Sequence, residues 1–402
     1  MVTVKNIELN FKRLNDEPYA LANLFQSKDY EWPGDWEGRA LLAFTCHYEI
    51  NAETVPHLFD FFSMIPERTN EHLYFGKHFD GVSADEQQLS GHNWYLRGLL
   101  KYDELFPDTE ALSYAKSVVE NLYLPLKEWY LRSPLEDRGE IGEVSGTLTD
   151  TINGWRLSSD VGCAFMCVDG LAKYLRRTHD NRVYELLECI IDVFDSIDLE
   201  KHKMQTHTTL TCLRGILTLY RLTKNRKYLK IVIDKFTFYC KNGMTLTYEN
   251  FNWFGRKNTW TEPCAVVDSF MLASELYTVT DNEDYKILAR RIWFNGLQFC
   301  QRENGGAGPN TCVTVDNPIL KVSMYEAPFC CTMRYAEGLL NFYRYCNMLT
   351  HDENAEVVVD EHGRRFVDDA LLVKHNKEIK PIFSCSSLSK DEALEAELQI
   401  IF

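Results

Sequence analysis

Two cysteines stand side by side, Cys330 and Cys331, in the stretch EAPFCCTMRYAEG, where a helical pattern begins. A second stretch, TEPCAVVD, places Glu262 two residues before Cys264, again at a helix start. Together they supply one carboxylate and three thiolates, a complete tetrahedral set for zinc, with soft sulfur donors that favour it over magnesium or calcium. A helix N-terminus also favours thiolate over thiol. The competing reading is two unrelated helix starts whose cysteines pack in a core, because cysteine is itself a good buried residue. Spacing alone leaves both open.

The elements that must position these groups are helical. Apolar residues recur three and four apart in 41–50, 94–106, 110–131, 163–177, 183–197, 210–222, 227–240, 267–279, 285–300 and 335–346. The helices come in pairs whose joints repeat: YLRRTHDNRVYELL, LYRLTKNRKYLKI and LYTVTDNEDYKIL each end a helix in Thr, pass a short Asp/Asn/Lys turn and restart with Tyr. Thr178, Thr223 and Thr280 mark these joints. Such a repeat builds either a solenoid or a closed (α/α) toroid of about six hairpins over 1–350. The alternate joints are long, at 75–94, 146–162, 244–264 and 301–331, and long loops in a compact domain usually carry function. Beyond 350 the pattern changes to short strands and a final helix with a capping start at Ser389, a C-terminal extension over 351–402.

The bulk numbers fit a globular protein: 402 residues, 45% hydrophobic and 25% charged. A net charge of -16 argues against nucleic acid or an anionic membrane as partner. No apolar run of about eighteen residues occurs, and the N-terminus has no apolar core of signal-peptide length. With 13 cysteines, an odd number, the expectation is a reducing, cytoplasmic setting with thiols or metal thiolates. Assembly into a homo-oligomer stays open.

The segment TWTEPCAVVDSFMLASELYTVTDNEDYKILARRIWFNGLQ (259–298) resembles the signature of glycoside hydrolase family 127, the β-L-arabinofuranosidases, with Glu262-Pro263-Cys264-Ala265, the Thr280-Asp281-Asn282 turn, Tyr285 and Asn295-Gly296-Leu297 in family order and Cys330-Cys331 following. The resemblance is carried by 205–345 and is thin over 1–90. It implies an (α/α)6 barrel and a retaining glycosidase acting on β-L-arabinofuranosides or a related furanoside. It also implies zinc on Glu262, Cys264, Cys330 and Cys331, with Cys330 as nucleophile. In YENFNWFG it matches Glu249 to the family's acid/base, and in QTHTTLT it matches His207 to a family histidine; His92, in SGHNWYLRG, is expected to contact sugar in a similar way. The loop aromatics Trp155, Tyr248 and Trp253 either pack on the rim or stack on sugar faces.

Three departures bear on this. Thr332, Met333 and Arg334 follow the doublet where the family often has Pro or Gly and Asn; the loop between Glu249 and Glu262 is short; and Asp160 stands near where another histidine is expected. The family usually carries β-sandwich domains after the barrel, where this sequence has its short extension. The readings that compete with a glycosidase are a catalytically silent, zinc-stabilised carbohydrate-binding or scaffold protein, and another toroid enzyme, a lyase or epimerase.

Overall fold

A computed structural model describes residues 2–25, 31–135, 138, 145–350, 356–359, 365–368, 373–376 and 378–381. In chain order the helices are α1 (Val2–Arg13), α2 (Leu21–Leu24), α3 (Asp35–Asn51), α4 (Leu58–Arg68), α5 (Glu86–Leu105), α6 (Ala111–Val118), α7 (Lys127–Tyr130), α8 (Cys167–Thr178), α9 (Asn181–Ser196), α10 (Thr206–Thr223), α11 (Arg226–Asn242), α12 (Pro263–Thr280), α13 (Glu283–Arg291), α14 (Gln298–Cys300) and α15 (Met333–Thr350). The strands are β1 (Ala84–Asp85), β2 (Leu148–Ile152), β3 (Trp155–Ser158), β4 (Glu356–Val359), β5 (Arg365–Asp368), β6 (Val373–Asn376) and β7 (Glu378–Pro381). Every helix expected from periodicity is present, and α1, α2, α4 and the β1–β3 sheet are additional. Among the described residues no helix is long and apolar enough to cross a membrane.

The repeated joints have one structural solution. Thr178, Thr223 and Thr280 each turn the hydroxyl back to the carbonyl four residues earlier, on Tyr174, Leu219 and Leu276, at 2.8–2.9 Å. The next residue, His179, Lys224 or Asp281, is left-handed, with φ +57° in all three, and its N–H closes on the carbonyl four residues back. Then Asp180, Asn225 or Asn282 caps the following helix by accepting from the N–H two residues on, at 3.0 Å. A left-handed C-terminal residue followed by an Asx cap satisfies both helix ends within five residues, so the sequence can repeat it cheaply.

Contacts divide the described chain into two compact units, one from Leu14–Ile233 and the other from Met1–Arg13 with Asp234–Phe402. In the first, α3, α5, α8 and α10 pack in a row of alternate helices, with α6 and α9 as their hairpin partners. Gly38 makes the α3–α5 approach feasible: a Cβ there would come within 2.1 Å of the Tyr95 nitrogen. The row is tied by one carboxylate. Asp169 of α8 meets Arg97 of α5 at 2.8 Å and Arg214 of α10 at 3.7 Å, and also pairs with Lys173. Burial pushes its carboxyl up, but the three cations together hold it below the usual carboxylate range. The sheet of this unit runs β1-β3-β2, and β2 and β3 form a hairpin through Asn153-Gly154, both with positive φ as a two-residue hairpin requires.

In the second unit α12 packs with α13 and α15, and α15 with α1. A buried ion pair, Arg334 of α15 with Asp268 of α12 at 2.5 Å, locks the two helices, and Arg334 also pairs with Glu337. The expected strands after 350 form two antiparallel hairpins, β4–β5 and β6–β7. The expected final helix at Ser389 lies outside the described residues.

Candidate metal and catalytic site

The site is built in the second unit, from the start of α12 and the turn before α15. Pro263 occupies the first helical position of α12, where its missing N–H costs nothing, and its fixed φ suits the helix. Glu262 sits at the N-cap in extended conformation, its carbonyl receiving Ala265 N–H at 2.9 Å. Its side chain does not cap the helix. Cys264 then lies one position inside the helix.

Before α15 the chain makes a wide π-helical turn, Pro328–Thr332, closed by Thr332 N–H to Ala327 O at 3.1 Å. Successive side chains on an α-helix diverge by about 100°. A wider turn narrows that angle, so neighbours in sequence can face one target. The doublet uses this: the Cys264 sulfur lies 3.4 Å from that of Cys330 and 3.9 Å from that of Cys331. All three sulfurs are within 4.8 Å of one another, and a Glu262 carboxylate oxygen lies within 4.8 Å of the Cys264 sulfur. Cys264 and Cys331 are buried and Cys330 is half-buried. Hydrogen bonding with Cys264 and Cys330, reinforced by burial, pushes the Cys331 thiol well above its usual range. Three crowded sulfurs beside a carboxylate cannot all ionise unaided, and a bound cation would remove the repulsion. The cluster can hold a metal ion.

Thr332 and Arg334, which follow the doublet, are anchors. Thr332 Oγ1 donates to Glu326 Oε1 at 2.9 Å and accepts from Ala307 N–H at 2.9 Å, while Arg334 forms the buried pair with Asp268. Asp268 follows Cys264 by four residues and Arg334 follows Cys330 by four. One helical turn past the sulfurs, an ion pair therefore fixes their two carriers together.

Glu249 is fully buried in a tight turn that includes Tyr248 at φ +62°. Its Oε1 accepts from Asn310 Nδ2 at 2.8 Å and Thr261 Oγ1 at 3.1 Å, and its Oε2 from Thr247 Oγ1 at 3.0 Å. Cys300 Sγ reaches Oε1 at 3.7 Å. Burial pushes the carboxyl up to about 7, against the pull of the Asn310, Thr247 and Thr261 hydrogen bonds and the charge of Arg302. The next residue, Asn250, accepts from Glu262 N–H at 2.7 Å. Thus 249–250 and 261–262 are stitched side by side, and the short loop between them brings the Glu249 segment to the Glu–x–Cys segment.

Loop 301–327 is organised by residues the sequence did not single out. Arg302 is buried and donates from Nε to Tyr325 O at 2.7 Å and from Nη1 to Phe299 O at 2.8 Å. Its Nη2 faces Gly308 O, Pro309 O, Asn310 Oδ1 and Met324 O at 2.7–3.1 Å. Asn310 thus relays Arg302 to Glu249. Glu326 joins Arg13 of α1 at 2.8 Å, Asn304 at 2.8 Å and Thr332, and Asn10 of α1 donates to Gly305 O and Thr332 O.

The residues expected to contact sugar are all buried. His92, in the first unit, accepts Phe75 N–H on Nε2 at 3.0 Å and shares its Nδ1 with Gln88 O at 2.7 Å, so both ring nitrogens are taken by backbone. Burial lowers its pKa to about 4. His207 is buried and its ring stacks on Trp94, 5.7 Å between centroids. Trp155 is buried edge-on to Trp129 and Tyr130. In the second unit, Trp253 is buried against Trp260 and beneath Arg256, and Tyr248 is buried in the Glu249 turn. Loops this well ordered turn their aromatics inward, and these three rings present no face to solvent.

No protein-family model matches the sequence, and no curated protein matches it. Solved structures do. One is a GH127 β-arabinofuranosidase at TM-score 0.55 and 12% identity, aligned over 85% of this chain and 56% of that one. A cellobiose 2-epimerase from Bacillus thermoamylovorans aligns at TM-score 0.54 and 16% identity, over 84% of this chain and 99% of its own. A polysaccharide lyase aligns at TM-score 0.56 and 10% identity, over 88% and 100%. The chain spans a little over half the length of the arabinofuranosidase. What these likenesses carry is the fold: all-α, the (α/α)6 toroid of helical hairpins, one of the two outcomes the repeated joints allow and the one the resemblance implies.

Proposed function

We propose that the chain is a retaining glycoside hydrolase of the family 127 type, acting on β-L-arabinofuranosides or a related furanoside. Cys330 is the nucleophile, Glu249 the acid/base, and Glu262, Cys264, Cys330 and Cys331 hold zinc. The observation that carries the reading is the convergence of three sulfurs from two separate segments, 3.4 and 3.9 Å across the helices. Tetrahedral zinc with sulfur at about 2.3 Å sets sulfur–sulfur edges of about 3.8 Å, so the cluster fits the ion with little movement. Bound zinc would keep its sulfur ligands as thiolates at neutral pH.

In the first step the Cys330 sulfur attacks the anomeric carbon. The bond to the leaving oxygen breaks, and protonated Glu249 gives that oxygen its proton. A thioglycosyl group is left on Cys330. Glu249, now a carboxylate, takes a proton from water as the water attacks the same carbon, and the carbon–sulfur bond breaks to return the thiolate. Two inversions give net retention. A carboxyl pushed up to about 7 suits a group that must be acid and then base near neutral pH.

The test is hydrolysis of an aryl β-L-arabinofuranoside by zinc-loaded protein, with product stereochemistry read by NMR. Retention is expected, with turnover abolished in Cys330→Ser, because an alcohol without a strong base is a far poorer nucleophile than a thiolate. Wild-type turnover in Cys330→Ala ends the covalent mechanism. The second reading, a catalytically silent zinc-stabilised carbohydrate-binding or scaffold protein, draws on the complete burial of Glu249. Zinc and sugar binding without turnover of any furanoside would select it.

A further inference from the structure

We propose that Cys330 is an oxidation site and that Cys264 resolves it, so that a hydroperoxide converts the pair to a reversible disulfide. Access and distance both select this pair. Cys330 is half-buried, whereas Cys264 and Cys331 are buried, so a small peroxide meets Cys330 first. The Cys264 sulfur is 3.4 Å away, and a disulfide of about 2.05 Å needs a further approach of about 1.4 Å, within reach of side-chain rotation. Cys331 is the poorer partner on both counts. It lies 3.9 Å from Cys264. A bond between adjacent Cys330 and Cys331 would have to distort the helical turn that Thr332 N–H and Cys330 N–H close on Ala327 O.

The steps balance. The Cys330 thiolate attacks one peroxide oxygen; a sulfur–oxygen bond forms, the oxygen–oxygen bond breaks, and the departing alkoxide or hydroxide takes a proton to leave as alcohol or water. Cys330 is then a sulfenic acid. Cys264 gives up its thiol proton and attacks the Cys330 sulfur; the sulfur–sulfur bond forms and the sulfur–oxygen bond breaks, and hydroxide leaves and is protonated to water. In total two thiols and one hydroperoxide give a disulfide, an alcohol or water, and one water. Two electrons pass from sulfur to the peroxide.

The oxidation rests on the sulfur geometry alone, and its consequence rests on the proposed function. Of the proposed zinc set, two of the three sulfurs would be spent, leaving Cys331 and Glu262. The site would lose metal and nucleophile together, and a dithiol reductant would restore both. The half-buried Cys189 gives a comparison within the same chain, because its sulfur donates to Lys127 O at 3.6 Å.

The test treats the full-length protein with graded hydrogen peroxide, blocks remaining thiols with iodoacetamide, and maps peptides by mass spectrometry with and without dithiothreitol. A Cys264–Cys330 cross-link is expected as the first product. It should disappear on reduction, and circular dichroism should be unchanged. Zinc released to a chromogenic chelator should track the cross-linked fraction one for one. Cys331→Ser should still form the cross-link, and Cys264→Ala should halt Cys330 at sulfenic or sulfinic acid. A dominant Cys330–Cys331 or Cys264–Cys331 link, or wild-type Cys330 over-oxidised without any link, overturns the proposal. A cross-link in a protein that hydrolyses no furanoside leaves it standing and ends the glycosidase reading instead.

Discussion

The joint at Thr280–Asn282 and the loop 301–327 belong to the same unit and solve the same problem by opposite means. Each must carry the chain out of one helix and toward the next. The joint does it locally: Thr280 bonds four residues back, Asp281 turns left-handed, and Asn282 caps α13 two residues on. The loop does it through distant partners. Arg302 gathers carbonyls as far on as Tyr325, Asn310 reaches Glu249 across 61 residues, and Glu326 reaches Arg13 across 313. A joint that satisfies itself needs nothing from its surroundings and serves only as a connection. A loop that can be satisfied only by remote groups holds those groups in register, and here they are the turn of Glu249 and the turn of the cysteine doublet.

The comparison breaks most visibly at Arg302. Arg302→Leu strips the loop of its common donor and leaves several buried carbonyls unmatched. Removing one partner from a buried charged network costs on the order of 3–5 kcal/mol, so a large fall in melting temperature is expected. Zinc stoichiometry should fall with it, because the doublet turn hangs from this loop. A variant with wild-type melting temperature and full zinc content would show that the loop does not position the site.

Glu249 offers a middle-sized effect with a definite sign. Its folded pKa, about 7, lies above the ordinary value of 4.5. The protonated form is therefore favoured by the fold, and the associated stability is present below about pH 4.5 and is lost as pH rises to about 7. The full loss is on the order of 3 kcal/mol. Glu249→Gln cannot ionise and escapes this. Thermal unfolding of the pair at pH 5 and pH 8 should show the variant gaining on the wild type at the higher pH. An unchanged difference would mean that Glu249 titrates normally.

At the joint the expected effect is smallest. Asn282→Ala removes one helix cap and should cost about 1 kcal/mol, read from denaturant unfolding, with zinc content unaltered. Loss of zinc on this substitution would place the joint in the site's support after all.

The same contrast explains what was legible in the sequence. The long helices between 35 and 350, α4 excepted, announced themselves by period, and the joints by Thr-x-Asx-x-x-x-Tyr or close variants, because their causes lie within a few residues. The Asn153-Gly154 hairpin falls within the long joint 146–162, which the period reading assigns to loop. Helix α1 carried little signal: it is held by Asn6 to Gln301, Asn10 to Gly305 and Arg13 to Glu326, partners some three hundred residues on. The convergence of Cys264 with Cys330 and Cys331 could be suspected from residue types. Arg302, Asn310 and the Arg334–Asp268 pair could not, since nothing local distinguishes a buried arginine from a solvated one.

Whether these three sulfurs and a carboxylate hold zinc is read by X-ray absorption at the zinc edge on protein purified with its native thiols reduced. One zinc per chain is expected, with three sulfur neighbours at about 2.3 Å and one lighter neighbour at about 2.0–2.2 Å, and one sulfur fewer in Cys331→Ser. A chain that binds no zinc, or binds it through nitrogen and oxygen alone, would contradict it.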